Sequence, residues 1–311
     1  MRMENTEYPQ NPQNKFTLPL GAKAGGLSFT ATVILNLLLS LIAGVIIAIF
    51  SLSGTEAESY IALLTSPIAI AIVLTLALTV AKQPAARLLP VKTHPKYYLI
   101  GVLIVFGALF SLSQVNEYII ELFELMGYQR RASFVPDVTG WKVVPVLIVV
   151  AVIPAFMEEI LFRGIILNNA EGELGSARVI LVSGFCFSLY HGSVEQTVYQ
   201  FIIGCLFGFL AVRSRSLGPV ILTHFINNAL IIILLACGAY DENTGAMLIS
   251  KGGEIALYVV SAISLIGGVV WLFLDKTPLE KGRKGGVKIF FIFAAIGIAA
   301  QAILWIAGLF I

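Results

Sequence analysis

The chain has 311 residues, 58% of them hydrophobic and only 12% charged, about half the ~25% charge of a soluble domain. That composition excludes a soluble globular enzyme and marks an integral membrane protein whose surroundings are the lipid bilayer. The net charge of +2 comes with no basic stripe interleaved with aromatics, which excludes a nucleic-acid partner.

Residues 1–26 are polar and rich in Asn, Gln, Pro and Gly. They read as a flexible cytoplasmic tail. A cleavable leader would place its apolar core nearer the start, so the first apolar run is expected to be retained. A membrane span needs about 20 apolar residues. By that measure the chain offers nine: 27–52, 60–81, 97–115, 143–168, 176–191, 196–213, 217–238, 255–274 and 287–310. The fifth and sixth are short. At ~1.5 Å per residue the fifth falls below the ~30 Å hydrocarbon core. The pair is therefore expected to form a hairpin with its turn at His191-Gly192-Ser193-Val194-Glu195, inside the membrane. Irregular backbone at that depth is tolerated only against protein or a wet cavity.

With nine spans, fifteen of the twenty Lys and Arg residues fall on the face of the N-terminal tail and four on the other, with Arg163 inside the fourth span. The positive-inside bias then predicts a cytoplasmic N-terminus and an outer C-terminus. Residues 116–142, the longest outer segment, carry Tyr118, Ile119, Leu122, Phe123, Leu125 and Met126, the pattern of an amphipathic helix lying on the membrane surface. Cys186, Cys205 and Cys237 lie in apolar runs without a CxxC and read as packing residues. The chain thus divides into a tail (1–26), N-terminal spans with the outer amphipathic segment (27–142), a membrane core (143–238) and C-terminal spans (239–311). The expected fold is all-α, a polytopic bundle of eight to nine spans with a short central hairpin lining a cavity.

The fourth span carries Glu158, Glu159 and Arg163. A charge at the bilayer centre costs at least ~2.5–3.5 kcal/mol, so such residues are functional candidates. Glu159 and Arg163 stand at i and i+4 and share a helix face, which predicts a supporting ion pair. Glu158 is rotated about 100° away and has no local cation. The fifth span ends at His191, and the seventh carries His224 and Asn228 at i and i+4. Each of these alone is as well explained by helix–helix hydrogen bonding. Together they form an inventory suited to activating water: a carboxylate and a His to share its proton, and a second His and an amide to donate to an oxyanion. The third histidine, His94, precedes Pro95 in a basic loop and reads as a surface residue. Counted from the expected cytoplasmic ends at ~1.5 Å per residue, Glu158 lies about 15 Å in, His191 about 22 Å and His224 about 10 Å. They meet only if the hairpin starts deeper or the helices tilt.

These residues stand as Glu158-Glu159-x-x-x-Arg163, Phe187-x-x-x-His191 and His224-x-x-x-Asn228. In that order they resemble the EExxxR, FxxxH and HxxxN motifs of the CAAX-protease and bacteriocin-processing (Abi, CPBP) family of intramembrane endopeptidases. The likeness covers roughly residues 143–238. It implies a helical protease opening to the cytoplasmic side and acting on a membrane-associated or lipid-modified peptide. By the resemblance, Glu158 and His191 activate the attacking water, His224 and Asn228 hold the oxyanion, and Glu159 and Arg163 support them. Two His and a carboxylate (Glu158, His191, His224) are also a ligand set for Zn²⁺, but there is no HExxH and Asn is a poor zinc ligand. The expectation is a site without a resident metal, with zinc as the alternative. Two other classes use similar inventories. A proton-coupled transporter would relay protons through buried Glu, His and Asn, though no inverted repeat is visible. A non-catalytic immunity or scaffold protein would tolerate loss of the motifs, which are complete.

Overall fold

The computed structural model describes residues 21–130, 135–239 and 247–310. The predicted tail lies outside the described residues up to residue 20. From Gly21 onward the chain is already helical, so the first span starts earlier than the polar composition of 21–26 suggests. Among the described residues there are nine main helices and no strands. They are α1 (Gly21–Ile49), α2 (Glu56–Ala81), α3 (Lys96–Leu125), α4 (Gly140–Leu174), α5 (Ser176–His191), α6 (Thr197–Ser214), α7 (Gly218–Ala236), α8 (Lys251–Leu274) and α9 (Gly286–Gly308). Eight of them are long and apolar enough to cross a membrane; α5, at 16 residues, is not. The all-helical bundle follows from composition, because in lipid each backbone polar group must be satisfied within its own segment. Exposed side chains agree: Leu38, Leu41, Ile42 and Val45 on α1 and Val259, Val260, Ile263 and Ile266 on α8 face outward, where a soluble protein would place polar groups.

One expectation about element boundaries needs correction. The segment from residue 116 is not a separate surface helix. It is the last turns of α3, which runs from Lys96 to Leu125 through a π-helical stretch at Ala108–Leu112. Its amphipathic pattern is real, with Tyr118, Leu122 and Leu125 exposed and Ile120 buried, but the helix is continuous through the π turn. The nine spans become eight plus the short α5. The hairpin itself is present: α5 ends at Gly192, whose φ of +60° closes the helix in the left-handed conformation that glycine adopts without a Cβ penalty. The chain then returns through α6.

The loops gather at two ends of the bundle. At one end Thr93 donates to the Ser214 carbonyl (2.7 Å) and Ser216 to the Val91 carbonyl (2.5 Å). There too Lys96 pairs with Asp275 (2.6 Å), Arg213 donates to the Thr277 carbonyl (2.6 Å), and Arg215 pairs with Glu171. The connection after α8 crosses this end as a strap, its Glu280 carbonyl accepting from the Ser176 amide (2.9 Å) and its Arg283 amide donating to Glu173 (2.7 Å). At the other end Asn116 Nδ2 donates to the Glu195 carbonyl (2.8 Å) and the Tyr128 hydroxyl to the Glu195 carboxylate (2.6 Å). α3 therefore grips the hairpin turn that follows His191.

Candidate active site

α4 carries the ionisable residues on an irregular helix. Two π-helical stretches, Leu147–Val152 and Ile160–Leu167, bracket the regular turns Ile153–Glu159. Such irregularities recur at functional sites. Pro154 sits at the start of the regular turns and has no N–H to return to the Val150 carbonyl. Asn228 Nδ2, from α7, donates to that carbonyl at 2.9 Å. A defect in one helix is thus repaired by an amide on another.

Glu159 and Arg163 form the expected i,i+4 pair, with Nη1 to Oε1 at 2.9 Å and both side chains fully buried. Arg163 Nη2 also donates to the Gly204 carbonyl at 2.8 Å, and the guanidinium lies 4.6 Å from the centre of the Phe187 ring and 5.5 Å from that of Phe207. The close approach of α5 and α6 makes this reach available. A Cβ on Gly204 would sit 3.0 Å from Gly184 Cα and 3.2 Å from the Phe187 ring, so a larger residue would push the helices apart.

The pair has a third member that helix spacing does not reveal. His224 Nδ1 contacts Glu159 Oε1 at 2.7 Å. A carboxylate only accepts, so Nδ1 carries the proton and Nε2 is the ring's other functional nitrogen. The ring is packed against Phe207 and Phe187. Glu159 therefore does two jobs, neutralising Arg163 and orienting His224.

Glu158, one residue earlier, points elsewhere. Its Oε2 is buried and has no hydrogen-bond partner among the described residues. His191 Nε2 lies 3.9 Å from it, too far for a direct hydrogen bond and near enough for one water to touch both. His191 Nδ1 is 2.8 Å from the Phe187 carbonyl. A carbonyl cannot donate, so Nδ1 bears the hydrogen and, in the neutral ring, Nε2 is left as a base. The turn that holds His191 is braced by α9: Gln301 Nε2 donates to the Tyr190 carbonyl (3.3 Å) and Trp305 Nε1 to the Thr197 hydroxyl (2.6 Å).

Glu158, His191, His224 and Asn228 all line one cavity of about 550 Å³. The depth mismatch expected from counting residues does not keep them apart. Asn228 is more heavily committed than predicted. Its Nδ2 serves Val150 and its Oδ1 accepts from Asn227 Nδ2 at 3.1 Å, so one N–H remains for a ligand. Sequence reasoning missed Asn227 and Tyr199, which extend this chain: the Tyr199 hydroxyl donates to Asn227 Oδ1 at 2.8 Å. It also missed Ser66 on α2, bonded to the Tyr190 hydroxyl at 2.9 Å. The Asn227-Asn228 doublet in an apolar run was the available signal for the first; Ser66 beside Pro67 carried none. Of the cysteines, Cys186 is buried, Cys205 half-buried and Cys237 exposed, so packing describes only the first two.

A zinc site needs three or four ligands converging at ~2 Å. Among the described residues no group of three His, Cys, Asp or Glu side chains is placed to hold a metal ion. His224 gives Nδ1 to Glu159 and His191 gives Nδ1 to the Phe187 carbonyl, so each ring keeps Nε2 as the nitrogen open to a ligand.

No curated protein and no solved structure gave a significant match to the chain. Residues 140–230 match the family model described as type II CAAX prenyl endopeptidase Rce1-like, a stretch that contains all seven of the motif residues. The central segment of this multi-pass helical membrane protein is thus similar to the CAAX-protease family whose motifs its own residues resemble.

Proposed function

We propose that the chain is an intramembrane endopeptidase that hydrolyses a peptide bond of a membrane-associated or lipid-modified substrate. One observation carries the reading: a buried carboxylate oxygen of Glu158 without a hydrogen bond, facing a basic imidazole nitrogen of His191 at 3.9 Å in a cavity large enough for a peptide segment. An unpaired carboxylate in a membrane core is costly, and a base poised beside bound water is a use that accounts for keeping it.

In the proposed reaction Glu158 takes a proton from water while His191 Nε2 accepts the water's other hydrogen in a hydrogen bond and orients it. The water oxygen bonds to the carbonyl carbon, and the carbonyl electrons move to its oxygen. His224 stabilises that oxyanion by donating from Nε2, its imidazolium form supported by the Glu159 carboxylate at Nδ1; the spare N–H of Asn228 is the second donor. Collapse of the intermediate breaks the C–N bond, and the proton held by Glu158 goes to the leaving amine. No step is routed through a metal. With the N-terminus in the cytoplasm, as the Lys and Arg distribution suggests, the strap end of the bundle faces the cytoplasm.

The test is trapping. Glu158→Gln is expected to slow cleavage by ~10²–10⁴-fold, the usual worth of a general base, and to retain membrane peptides that wild type releases as fragments. Equal processing of a membrane peptide pool by wild type, Glu158→Gln and His191→Ala would overturn the reading.

A further inference from the structure

The cavity is not built only from the segment that carries the motifs. α1 contributes Asn36 and α2 contributes Ala62, Leu63, Thr65, Ser66 and Pro67, all outside residues 140–230. On α1 the inward stripe runs through Phe29, Thr32 and Val33, with Ala43 and Ile47 further on, all buried. Asn36 falls on that stripe at i+3 from Val33 and i+7 from Phe29, so its carboxamide points into the bundle. Its Oδ1 is buried and, among the described residues, has no hydrogen-bond partner.

The wall beside it is similarly under-committed. The Ser66 and Tyr190 hydroxyls share one hydrogen bond; two hydroxyls carry two protons, so one remains to be donated. Pro67 lies inside α2 and has no N–H to return to the Leu63 carbonyl, and both residues line the cavity. On α4 the matching defect at Pro154 is repaired by Asn228. Polar groups buried without partners are disfavoured unless a ligand supplies them.

We propose that this wall docks the peptide backbone of the substrate, with the Asn36 carboxamide pairing with one extended substrate residue: Oδ1 accepts that residue's N–H and Nδ2 donates to its carbonyl. The proposal rests on the peptidase reading and extends it to how the substrate is held. The chemistry selects the occupant. An alkyl or prenyl chain leaves Oδ1 buried and unsatisfied. A carboxylate has no hydrogen to give it. An ammonium has no lone pair for Nδ2. An extended backbone residue offers its N–H and its carbonyl on one side, the complement of a carboxamide.

The experiment measures binding to the full-length Glu158→Gln protein in detergent, so that it does not depend on turnover. The probe is a peptide ending in S-farnesylcysteine-Val-Ile-Met, together with a series in which each backbone amide in turn is replaced by an ester, removing one N–H. The expected result is one ester that binds about tenfold more weakly than the amide, the worth of a single hydrogen bond at the upper end. With Asn36→Leu added, the amide peptide weakens by a similar factor and that ester loses no further affinity. Asn36→Ala repeats the measurement should the leucine variant fold poorly. Ester sensitivity that persists undiminished in the Asn36 variants, or is absent throughout, overturns the docking role while leaving the peptidase reading intact. Failure of the amide peptide to bind overturns the docking role, and the peptidase reading then stands or falls on the trapping of membrane peptides by Glu158→Gln.

Discussion

At the strap end of the bundle, Asp275 takes hydrogen bonds from Lys96, Tyr97 and the Thr277 amide, and Glu171 takes them from Ser176 and Arg215. In the cavity, Glu158 keeps one carboxylate oxygen buried without a bond and meets His191 only across 3.9 Å. Both regions place acidic side chains against basic ones, yet only the first closes the contacts. The contrast separates two uses of charge. Saturated carboxylates hold loops in register; an unsaturated one keeps a lone pair for something that arrives. Adjacent residues of α4 differ more narrowly: Glu159 gives Oε1 to both Arg163 and His224 and leaves Oε2 without a hydrogen bond among the described residues, while Glu158 bonds to neither of those two residues.

The comparison breaks most severely at Glu159. Glu159→Ala leaves the fully buried Arg163 guanidinium without its carboxylate and is expected to cost about 3–5 kcal/mol, read as a large fall in thermal unfolding temperature in detergent. Glu158→Gln, which removes an already unpaired charge, should leave that temperature unchanged or raise it. Equal destabilisation by the two would mean that Glu158 is as structurally committed as its neighbour. A smaller effect is expected at Asn228. Asn228→Leu exposes the Val150 carbonyl as an unsatisfied buried acceptor, at about 1–3 kcal/mol. Adding Pro154→Ala restores an N–H four residues on and should recover part of the loss; a double variant no more stable than Asn228→Leu would show that the amide does not act through that carbonyl.

The smallest effect lies at the strap. Burial acts to raise the pKa of Asp275, but the hydrogen bonds from Lys96, Thr277 and Tyr97 outweigh it and hold the carboxyl at about 2, below its ordinary 3.8. A folded-state pKa below the unfolded value contributes stability that is fully present above pH ~4 and fades as pH falls towards ~2. Unfolding temperature measured across that window should drop more for wild type than for Asp275→Asn. Parallel acid profiles would show that the strap is held by other contacts.

Much of the site is legible in the primary structure because its spacing is local. The i,i+4 relation of Glu159 and Arg163 needs only helix geometry, and so does the separation of Glu158 from that pair. Apolar run lengths likewise identify the short fifth helix and its hairpin. What spacing misread, it misread where helix geometry departs from 3.6 residues per turn. The π stretch at Ala108–Leu112 carried α3 on to Leu125, where a boundary near residue 115 was expected. Asn36 and Ser66 were invisible for another reason. A single polar residue in an apolar span has no pattern, and its meaning comes from the helix it faces.

Composition and run length by themselves determined that this chain is a helical membrane protein, since lipid leaves the backbone no other partner than itself. Three short motifs singled out the polar side chains that line the cavity or brace it. Only the tertiary structure decided how they are paired. A carboxylate 65 residues from His224 in sequence becomes its orienting partner, and Pro154 leaves a carbonyl for Asn228 to fill. Hydrogen bonds act over about 3 Å, and no sequence periodicity reports which helix will stand that close.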